Sequence, residues 1–378
     1  MKIVVAPDSF KESLSAKEVS KNIAKAISEV MPEAEILQVP ISDGGEGLLD
    51  ALIPSLKGTL ITTTVKDPLL RNIEATYGIV NNGNTAIIEM AKASGLELLK
   101  ENEKNPLITS TFGTGQLIKN ALNRGCKKII VGLGGSATND GGMGMMKALG
   151  VAFLDNKGRP INEGGGALNA LCKIDLTRID KRVLNCEIVS ACDVLNPLTG
   201  SQGASFVYGS QKGAKPEELE LLDKNLLHYA SIIKSNLKID LKTRKGTGAA
   251  GGMGMALLTF LNAKLIPGIK LIMDSLQIET HIRNADLVIT GEGRIDRQTL
   301  YGKTITGIAS IALKHKVPVI AITGSIGTDI DKIYDMGVHA VFSIVNQPMD
   351  LKKSIENADT LVRSCVTNIF RMIKVSNQ

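Results

Sequence analysis

The chain of 378 residues carries 43% hydrophobic residues and a net charge of +6, which suits a globular protein with a large core and room for two domains. Only 3% of its residues are aromatic and none is tryptophan, so stacking platforms for nucleic acid are not expected. The basic residues are scattered among 38 acidic ones, and no apolar stretch is long enough to span a membrane. We expect neither a nucleic-acid nor a membrane partner.

The five cysteines are odd in number and show no C-x-x-C spacing, so we expect reduced thiols rather than a disulfide framework. The amino terminus lacks the long apolar run of a signal peptide. The four histidines lie far apart in the sequence, which disfavours a metal site built from histidine and cysteine. These features predict a cytoplasmic protein.

The opening of the chain alternates buried strands with polar loops and helices. Ile3–Ala6 and Ile36–Val39 are short apolar strand signals, and each precedes a loop with reactive side chains. Between them, Ser15–Glu18 has the pattern of a capping box at the start of an amphipathic helix. Asp43 and Glu46 share that spacing, so helix capping is an alternative role for Glu46. The candidate residues of the two loops are Asp8, Ser9, Lys11, Asp43 and Glu46.

The pattern changes near Thr59, where exposed and hairpin-like strand signals replace the alternation of strands and helices. Two β-like runs, 75–80 and 85–89, flank Asn81–Asn84 as the strands of a hairpin flank its turn. We therefore predict two α/β domains, one with a mostly parallel sheet and a smaller mixed α/β domain inserted into it. The predicted boundaries are 1–60, 110–150 and 283–378 for the first domain, and 61–109 and 151–282 for the inserted one.

Gly132–Gly144 is the stretch with the clearest chemistry. It contains six glycines and lies between an apolar strand signal, Ile129–Val131, and the apolar segment Met145–Leu149. A strand-to-helix turn so rich in glycine lets backbone N–H groups approach an anion closely. This composition favours phosphate binding over a purely structural turn. Its candidate substrate-binding residues are Gly134, Gly135, Ser136, Thr138, Asn139 and Asp140.

Later strand signals also end in candidate loops. Glu187–Ala191 precedes Asp193 and Asn196, and a second glycine cluster occupies Gly246–Gly254. In a parallel sheet the carboxyl ends of the strands share one edge, where ligands bind. We therefore expect one site at this edge. Its expected members are Asp8, Asp43, the Gly132–Gly144 loop, Glu292 and Ser325.

Carboxylates on glycine-rich loops, with lysines nearby, favour phosphoryl transfer. Hard oxygen ligands suit Mg²⁺, while glycine loops with lysine suit a polyphosphate. One aspartate then serves as the base for the hydroxyl group of a small acceptor. The residues therefore predict a kinase for a small molecule.

Two other classes of function stay open. Gly132-x-Gly134-x-x-Ala137 follows a strand signal and Asp155 ends the next one, which has elements of a dinucleotide fingerprint. An NAD-dependent oxidoreductase of a small hydroxy acid is therefore one alternative, although three glycines would fall inside the following helix. A non-catalytic sensor of organic acids is the other alternative.

Six multi-residue blocks follow one another along almost the whole chain. They are Ala6–Lys11 with Leu14–Ala16, Ser42–Gly47, Gly134–Gly142, Cys192–Leu198, Gly248–Gly254, and Thr290–Asp296 with Gln298–Thr299 and Gly302-Lys303. In this order and spacing they resemble the bacterial glycerate kinase family (type I), from residue 1 to about residue 345. One departure is Glu12, where the family usually has glycine.

The resemblance implies ATP-dependent phosphorylation of D-glycerate with Mg²⁺, in the catabolism of glycerate, glyoxylate or sugar acids. Bacterial members of this type are mostly associated with 2-phosphoglycerate, although the sequence leaves 2- versus 3-phosphorylation open. The resemblance also implies a flavodoxin-like or Rossmann-like domain, an inserted α/β domain and an active site in the cleft between them. A homodimer is the candidate assembly.

Hypothetical roles for the residues combine their chemistry with the resemblance. Asp193 is the first choice for the base or metal-orienting carboxylate, and an Asx turn is its structural alternative. Lys11 and the Gly134–Ser136 loop are candidates for holding the carboxylate of glycerate. The catalytic set is Asp193, Asp8 and Lys11. The substrate-binding set is Ser9, Gly134, Gly135, Ser136, Thr138, Asn139, Asp140 and Asn196. The nucleotide-binding set is Gly248, Gly251, Gly252, Gly254, Gly291, Glu292 and Lys303. The metal-binding set is Asp43, Glu46 and Asp296.

Overall fold

A computed structural model describes residues 1–41, 47–297, 299 and 304–376 of the chain. The strands are β1 Lys2–Val5, β2 Glu35–Gln38, β3 Thr59–Lys66, β4 Asn72–Val80, β5 Thr85–Glu89, β6 Lys128–Gly132, β7 Ala152–Leu154, β8 Lys173–Asp175, β9 Glu187–Ala191, β10 Lys264–Ile266, β11 Leu287–Ile295, β12 Val319–Ile326 and β13 Ala340–Ser343. The α-helices are α1 Ala16–Val30, α2 Leu48–Ser55, α3 Ala91–Ser94, α4 Phe112–Asn123, α5 Met143–Ala148, α6 Lys181–Leu184, α7 Ala204–Tyr208, α8 Pro216–Leu237, α9 Ala249–Leu261, α10 Gly268–Ser275, α11 Ile278–Arg283, α12 Thr304–Lys314, α13 Lys332–Asp335, α14 Leu351–Glu356 and α15 Ala358–Ser376. Across these ranges, no helix combines the length and the apolarity that crossing a membrane requires.

The first of two compact units, unit 1, consists of Met1–Asp43 and Ile269–Gln378. Its sheet has five parallel strands in the order β13-β12-β11-β1-β2. Apolar residues of β1, α1 and α15 share one core, since strands of a parallel sheet are buried on both faces. The predicted capping box at the start of α1 is confirmed: Ser15 and Glu18 each accept the backbone N–H of the other.

Unit 2, Gly44–Gly268, contains a mixed sheet of six strands in the order β10-β9-β6-β5-β4-β3. β5, β6, β9 and β10 run parallel, and β4 is antiparallel to both β3 and β5. The predicted hairpin is confirmed by the pairing of β4 with β5. The long helix α8 begins at Pro216, because proline suits the first turn of a helix, and it buries one apolar face in the core of this unit.

The predicted fold class, two α/β domains with one inserted, matches this architecture, but the chain divides at other boundaries. β6 lies between β5 and β9, so Gly132–Gly144 belongs to unit 2 and not to the unit of the chain termini. The inserted unit is one continuous stretch and is the longer of the two. Many strands of both sheets are short apolar runs followed by loops, so the sheet that each of these strands joins is decided by its hydrogen-bonded partners.

The expected single sheet edge is consequently two edges. Asp8 follows β1 of the unit 1 sheet, whereas Glu292 and Ser325 lie in the second halves of β11 and β12. The glycine loop after β6 and the loop of Asp193 after β9 lie at the edge of the unit 2 sheet. The prediction that all of these residues share one sheet edge was therefore wrong, because it assumed one continuous parallel sheet.

Candidate active site

The carboxyl edge of the unit 2 sheet brings two of the predicted loops together. β6 ends at Gly132 and β9 ends at Ala191, and these two residues are partners in parallel register. Asp193 therefore follows β9 at the level where Gly134 follows β6. Gly134 and Gly135 are partly exposed. A short accessible glycine segment thus lies beside the loop of Asp193, where ligands of parallel sheets bind.

Asp140 is fully buried and accepts four hydrogen bonds. One carboxylate oxygen accepts the N–H and the hydroxyl of Thr111, both at 2.8 Å, and the N–H of Gly144 at 3.1 Å. The other oxygen accepts the N–H of Gly142 at 3.0 Å. Burial raises the pKa of Asp140, and the hydrogen bonds from Thr111 oppose that shift. Asp140 ties the start of α4 to the start of α5, and its contact with a substrate stays a prediction that its burial does not favour.

Ser136, Thr138 and Asn139 are also buried, so their side chains shape the glycine loop from the inside. The side-chain amide of Asn139 donates to the Ser205 hydroxyl at 3.0 Å. The Asn139 Oδ1 atom has no hydrogen-bond partner in the part of the chain that the structure describes. Direct contact of these three side chains with a substrate stays a prediction that their burial does not favour.

Lys212 is a candidate that the sequence analysis missed. It is only 2% exposed, and its ammonium group donates to the Thr138 carbonyl oxygen at 2.7 Å and to the Ser136 hydroxyl at 3.3 Å. Burial lowers the pKa of Lys212 to about 7, although the charge of Asp140 acts in the opposite direction. Lys212 lies in none of the glycine-rich blocks, so no motif separates it from the other lysines. What distinguishes Lys212 is its burial against the glycine loop, which the tertiary structure shows.

Asp193 accepts a hydrogen bond from the N–H of Gly268 at 3.0 Å, at the start of α10. This hydrogen bond gives Asp193 a structural role beside the Asx turn considered as an alternative. Asn196 is engaged within its own loop, where its amide donates to the Gln202 carbonyl oxygen and its carbonyl oxygen accepts the Tyr208 hydroxyl, both at 2.8 Å. Asn196 therefore organises the loop that presents Asp193.

The second glycine cluster packs directly against the first. Ala250, Gly251 and Gly252 have φ values of 50°, 65° and 93° and interrupt α9 near its start. The Gly251 carbonyl oxygen accepts the Gly141 N–H at 3.0 Å, and a Cβ on Gly251 would lie 1.9 Å from the Thr138 carbonyl oxygen. The structure uses this cluster for close backbone packing. A role in nucleotide binding stays a prediction for Gly248, Gly251, Gly252 and Gly254.

Gly251→Ala is expected to destabilise the protein by more than its positive φ alone explains. The left-handed conformation costs a non-glycine residue about 1–2 kcal/mol, and here the new Cβ also collides with backbone atoms. Gly158→Ala is the matched control, because Gly158 has a φ of +73° and no atom within 4 Å of its Cβ position. Urea denaturation of both variants should show the larger loss for Gly251→Ala, and equal losses would contradict the packing role.

Carboxylates of unit 1 gather where β1 and β11 lie side by side. Asp8 accepts the N–H of Ser9 at 2.6 Å and the hydroxyl of Thr304 at 2.9 Å. Glu292, in the second half of β11, accepts the hydroxyl of Thr299. The Asp8 N–H itself bonds to the carbonyl oxygen of β11 at Gly291, which fixes the Asp8 loop to the neighbouring strand.

Three further predictions concern this region. Asp296 pairs with the exposed Arg294 at 2.9 Å, and Lys11 is exposed. Gly291 lies inside the strand pair β11–β12, where a Cβ would approach the Ile322 carbonyl oxygen to 2.1 Å, so its place in the strand requires glycine. Within the ranges described, no group of three or more histidine, cysteine, aspartate or glutamate side chains is arranged to hold a metal ion. The predicted residues Asp43, Glu46 and Lys303 lie outside those ranges.

The backbone conformation at Glu12 fits the glycine that the family resemblance leads us to expect at this position. It has a φ of 64°, in the left-handed region that favours glycine. The loop between β1 and α1 therefore holds a glutamate in a conformation that non-glycine residues uncommonly adopt.

Burial raises the pKa of Glu292 to about 6. The hydrogen bond from Thr299 and the charge of Lys11 oppose this shift, whereas the negative charges of Asp8 and Asp296 add to it. Asp8, Glu292 and Asp296 are thus close enough to interact electrostatically.

Glu292→Gln is expected to remove a pH dependence of stability. Because the pKa of Glu292 is raised from 4.5 to about 6, its contribution to stability is full below about pH 4.5 and is lost as the pH rises through 6. From about pH 4.5 to about pH 7.5, the wild type should lose about 1.5 kcal/mol of unfolding free energy relative to Glu292→Gln. Urea titrations of both proteins at the two pH values measure this difference.

Glu279→Gln is the control, with the opposite sign. Hydrogen bonds from Lys314 and His315 lower the pKa of the exposed Glu279 to about 2. Its contribution is therefore present at neutral pH and is lost as the pH falls through about 2. The difference in unfolding free energy between Glu292→Gln and the wild type should change with pH. If it stays constant, the pKa of Glu292 is not raised by burial and by its negative neighbours.

The dinucleotide alternative is not supported by the fold. A ribose-binding acid must follow a strand that lies beside β6 in the same parallel sheet. β7, which precedes Asp155, instead pairs with β8 in a separate antiparallel two-stranded sheet. Asp155 itself is held by the Lys157 N–H and by the backbone and side chain of Arg159. The residue closes a turn, and its strand does not lie in the sheet of the glycine loop.

Comparison with known proteins identifies the family. The model of the glycerate kinase family matches residues 3–374. The chain belongs to the glycerate kinase family. It is 48% identical to the glycerate 2-kinase of Escherichia coli K12 over 98% of this chain and 96% of that protein. It is 46% identical to a glycerate kinase of Bacillus subtilis strain 168 over 100% of this chain and 98% of that protein.

A solved structure agrees with these sequence comparisons. The crystal structure of a protein from Salmonella typhimurium LT2, described as a glycerate kinase, aligns with a TM-score of 0.92 at 46% identity. The alignment covers 100% of this chain and 99% of the other. The resemblance inferred from six sequence blocks is therefore confirmed, as is the prediction of a kinase of this family.

Proposed function

We propose that this protein transfers the γ-phosphoryl group of ATP to the 2-hydroxyl group of D-glycerate, with Mg²⁺ bound to the nucleotide. The observation that carries the proposal is the full-length similarity to glycerate kinases, among them a glycerate 2-kinase at 48% identity. Local chemistry supports it as well. A partly exposed glycine segment suits a small carboxylate, and clustered carboxylates suit a magnesium nucleotide.

Asp193 is the proposed base for the acceptor. It takes the proton of the 2-hydroxyl group while the hydroxyl oxygen forms a bond to the γ-phosphorus and the oxygen bridging the β- and γ-phosphates leaves with ADP. The hydrogen bond from Gly268 orients the carboxylate, since it holds one oxygen at the end of β9. The backbone of Gly134 and Gly135 is the proposed binding segment for the carboxylate of glycerate.

Asp8, Glu292 and Asp296 are the proposed residues for the magnesium nucleotide. Their carboxylate oxygens are the hard donors that Mg²⁺ prefers, and the charges of Asp8 and Asp296 act on Glu292 strongly enough to help raise its pKa. Mg²⁺, when bound, neutralises charge on the transferring phosphates. Lys11 and Lys303 are proposed to add positive charge for the same phosphates.

A coupled assay for ADP release tests the function directly. Purified protein with Mg-ATP and D-glycerate should release ADP, and phosphorus NMR should place the new phosphate on the 2-hydroxyl group. L-glycerate and omission of Mg²⁺ are the controls. A 3-phosphate would keep the kinase but overturn the position, and glycerate binding without ADP release would favour the sensor.

The remaining predictions concern assembly and location. We propose a homodimer, to be tested by light scattering coupled to gel filtration, with a monomer as the contradicting result. A cytoplasmic location is likewise proposed, and cell fractionation measures it.

A further inference from the structure

The buried ammonium group of Lys212 is a charged feature of unit 2 to which the proposed reaction gives no role. It lies at the end of a short turn, Ser210–Lys212, and is only 2% exposed. The partners that the structure gives it are neutral oxygens, the Thr138 carbonyl at 2.7 Å and the Ser136 hydroxyl at 3.3 Å. Both belong to the turn that begins with the partly exposed Gly134 and Gly135.

A buried lysine held by neutral partners is costly, because an ammonium group loses most of its hydration on burial. Asp140 stabilises the charge electrostatically, but its own oxygens are occupied by Thr111, Gly142 and Gly144. The positive charge of Lys212 is therefore incompletely balanced by the fold. An anion seated on the adjacent loop would balance it.

The turn itself depends on the same contacts. The Ser136 hydroxyl accepts the N–H of Thr138 at 3.2 Å and also receives the ammonium group of Lys212. Lys212 thus bridges the two residues that close the turn, and its removal would loosen the backbone that precedes them. The hydrogen bonds of Lys212 and its positive charge therefore both act on the turn from Gly134 to Thr138.

We propose that Lys212 is a positioning residue for the acceptor substrate, because its buried ammonium group holds the Gly134–Thr138 turn and supplies the positive charge that draws a small carboxylate to it. The identity of that carboxylate, D-glycerate, rests on the proposed function. Lys212 acts through the loop and does not itself touch the reacting atoms.

Lys212→Met tests this role through a split between the two substrates. The variant should raise the KM for D-glycerate, and its Kd measured by calorimetry, about tenfold or more, as expected for loss of a charge-assisted interaction. The KM for ATP should stay within about twofold, and kcat should fall far less than the KM for glycerate rises. Lys215→Met, which changes an exposed lysine three residues away, should leave all values unchanged.

Two results would overturn the proposal: an unchanged Kd for glycerate in folded Lys212→Met, or similar losses in kcat and in both KM values, which mark a general structural role. Should Lys212→Met not fold, Ser136→Ala decides, since it removes one partner of the ammonium group. A rise of several-fold in the Kd for glycerate supports the role, and an unchanged Kd overturns it.

The wild type separates this proposal from the proposed function. Binding of D-glycerate without ADP release would overturn the kinase function. The calorimetric Kd values of the Lys212 and Ser136 variants would still test the role of Lys212 in binding. A wild type that does not bind D-glycerate would overturn the role of Lys212 as stated.

Discussion

Asp193→Asn is expected to lower kcat by two to four orders of magnitude while the protein stays folded. General bases contribute about 10²–10⁴-fold to catalysis, and asparagine at this position cannot take the proton of the acceptor hydroxyl. The substitution keeps the hydrogen bond from Gly268, because the Oδ1 atom of asparagine accepts that N–H as aspartate does. Saturating ADP-release assays measure kcat, and thermal unfolding measures the fold.

Asp223→Asn is the matched control for Asp193. Asp223 also lies in unit 2 and accepts one backbone N–H, that of Gly200 at 2.9 Å. Its replacement should leave kcat within about twofold, since nothing places it at the sheet edge. Turnover of Asp193→Asn close to that of the wild type would remove Asp193 from the mechanism and leave it a residue that holds the start of α10.

Asp140→Ala is expected to destabilise the protein by about 3–5 kcal/mol, the range seen when a buried hydrogen-bond network is broken. Three N–H groups and one hydroxyl would lose their acceptor inside the protein: those of Thr111, Gly142 and Gly144. Asp140→Asn should also be destabilising, because its NH₂ group would face a backbone N–H. Urea denaturation followed by circular dichroism measures the change.

Asp155→Ala is the control for Asp140→Ala, because it separates the effect of burial on stability from the effect of the number of hydrogen bonds. Asp155 also accepts several hydrogen bonds, from Lys157 and Arg159, but its turn is exposed to water. Water replaces the lost acceptor there, so the midpoint of unfolding should move far less than in Asp140→Ala. Equal losses of stability in the two variants would contradict the inference that the buried hydrogen bonds of Asp140 stabilise the contact between α4 and α5.

Several elements could be predicted from local pattern because their causes are local. Ser15–Glu18 caps α1 through contacts three residues apart, and the turn at Asn81–Asn84 joins two strands that are neighbours in the chain. The glycine loop after β6 follows the same logic, since a strand signal and a run of glycines predict a tight turn at a sheet edge. The six blocks around such loops were enough to indicate the family.

The parts that could not be predicted depend on partners distant in sequence. The burial of Asp140 against Thr111 and the contact of Lys212 with Thr138 join segments that no motif connects. The packing of Gly251 against Thr138 likewise joins two glycine-rich segments that lie far apart in the chain. Sequence spacing reports which residues share an element, whereas burial depends on what the rest of the chain places around them.

The sequence by itself therefore determined the fold class, the family, and the positions of loops at strand ends, because these follow from periodicity, turn chemistry and the order of the blocks. Only the tertiary structure decided which sheet each strand joins, where the inserted unit begins and ends, and which polar residues are anchors rather than accessible groups. The physical reason is that strand pairing and desolvation are set by contacts between segments far apart in the chain, and identical local patterns are compatible with either sheet.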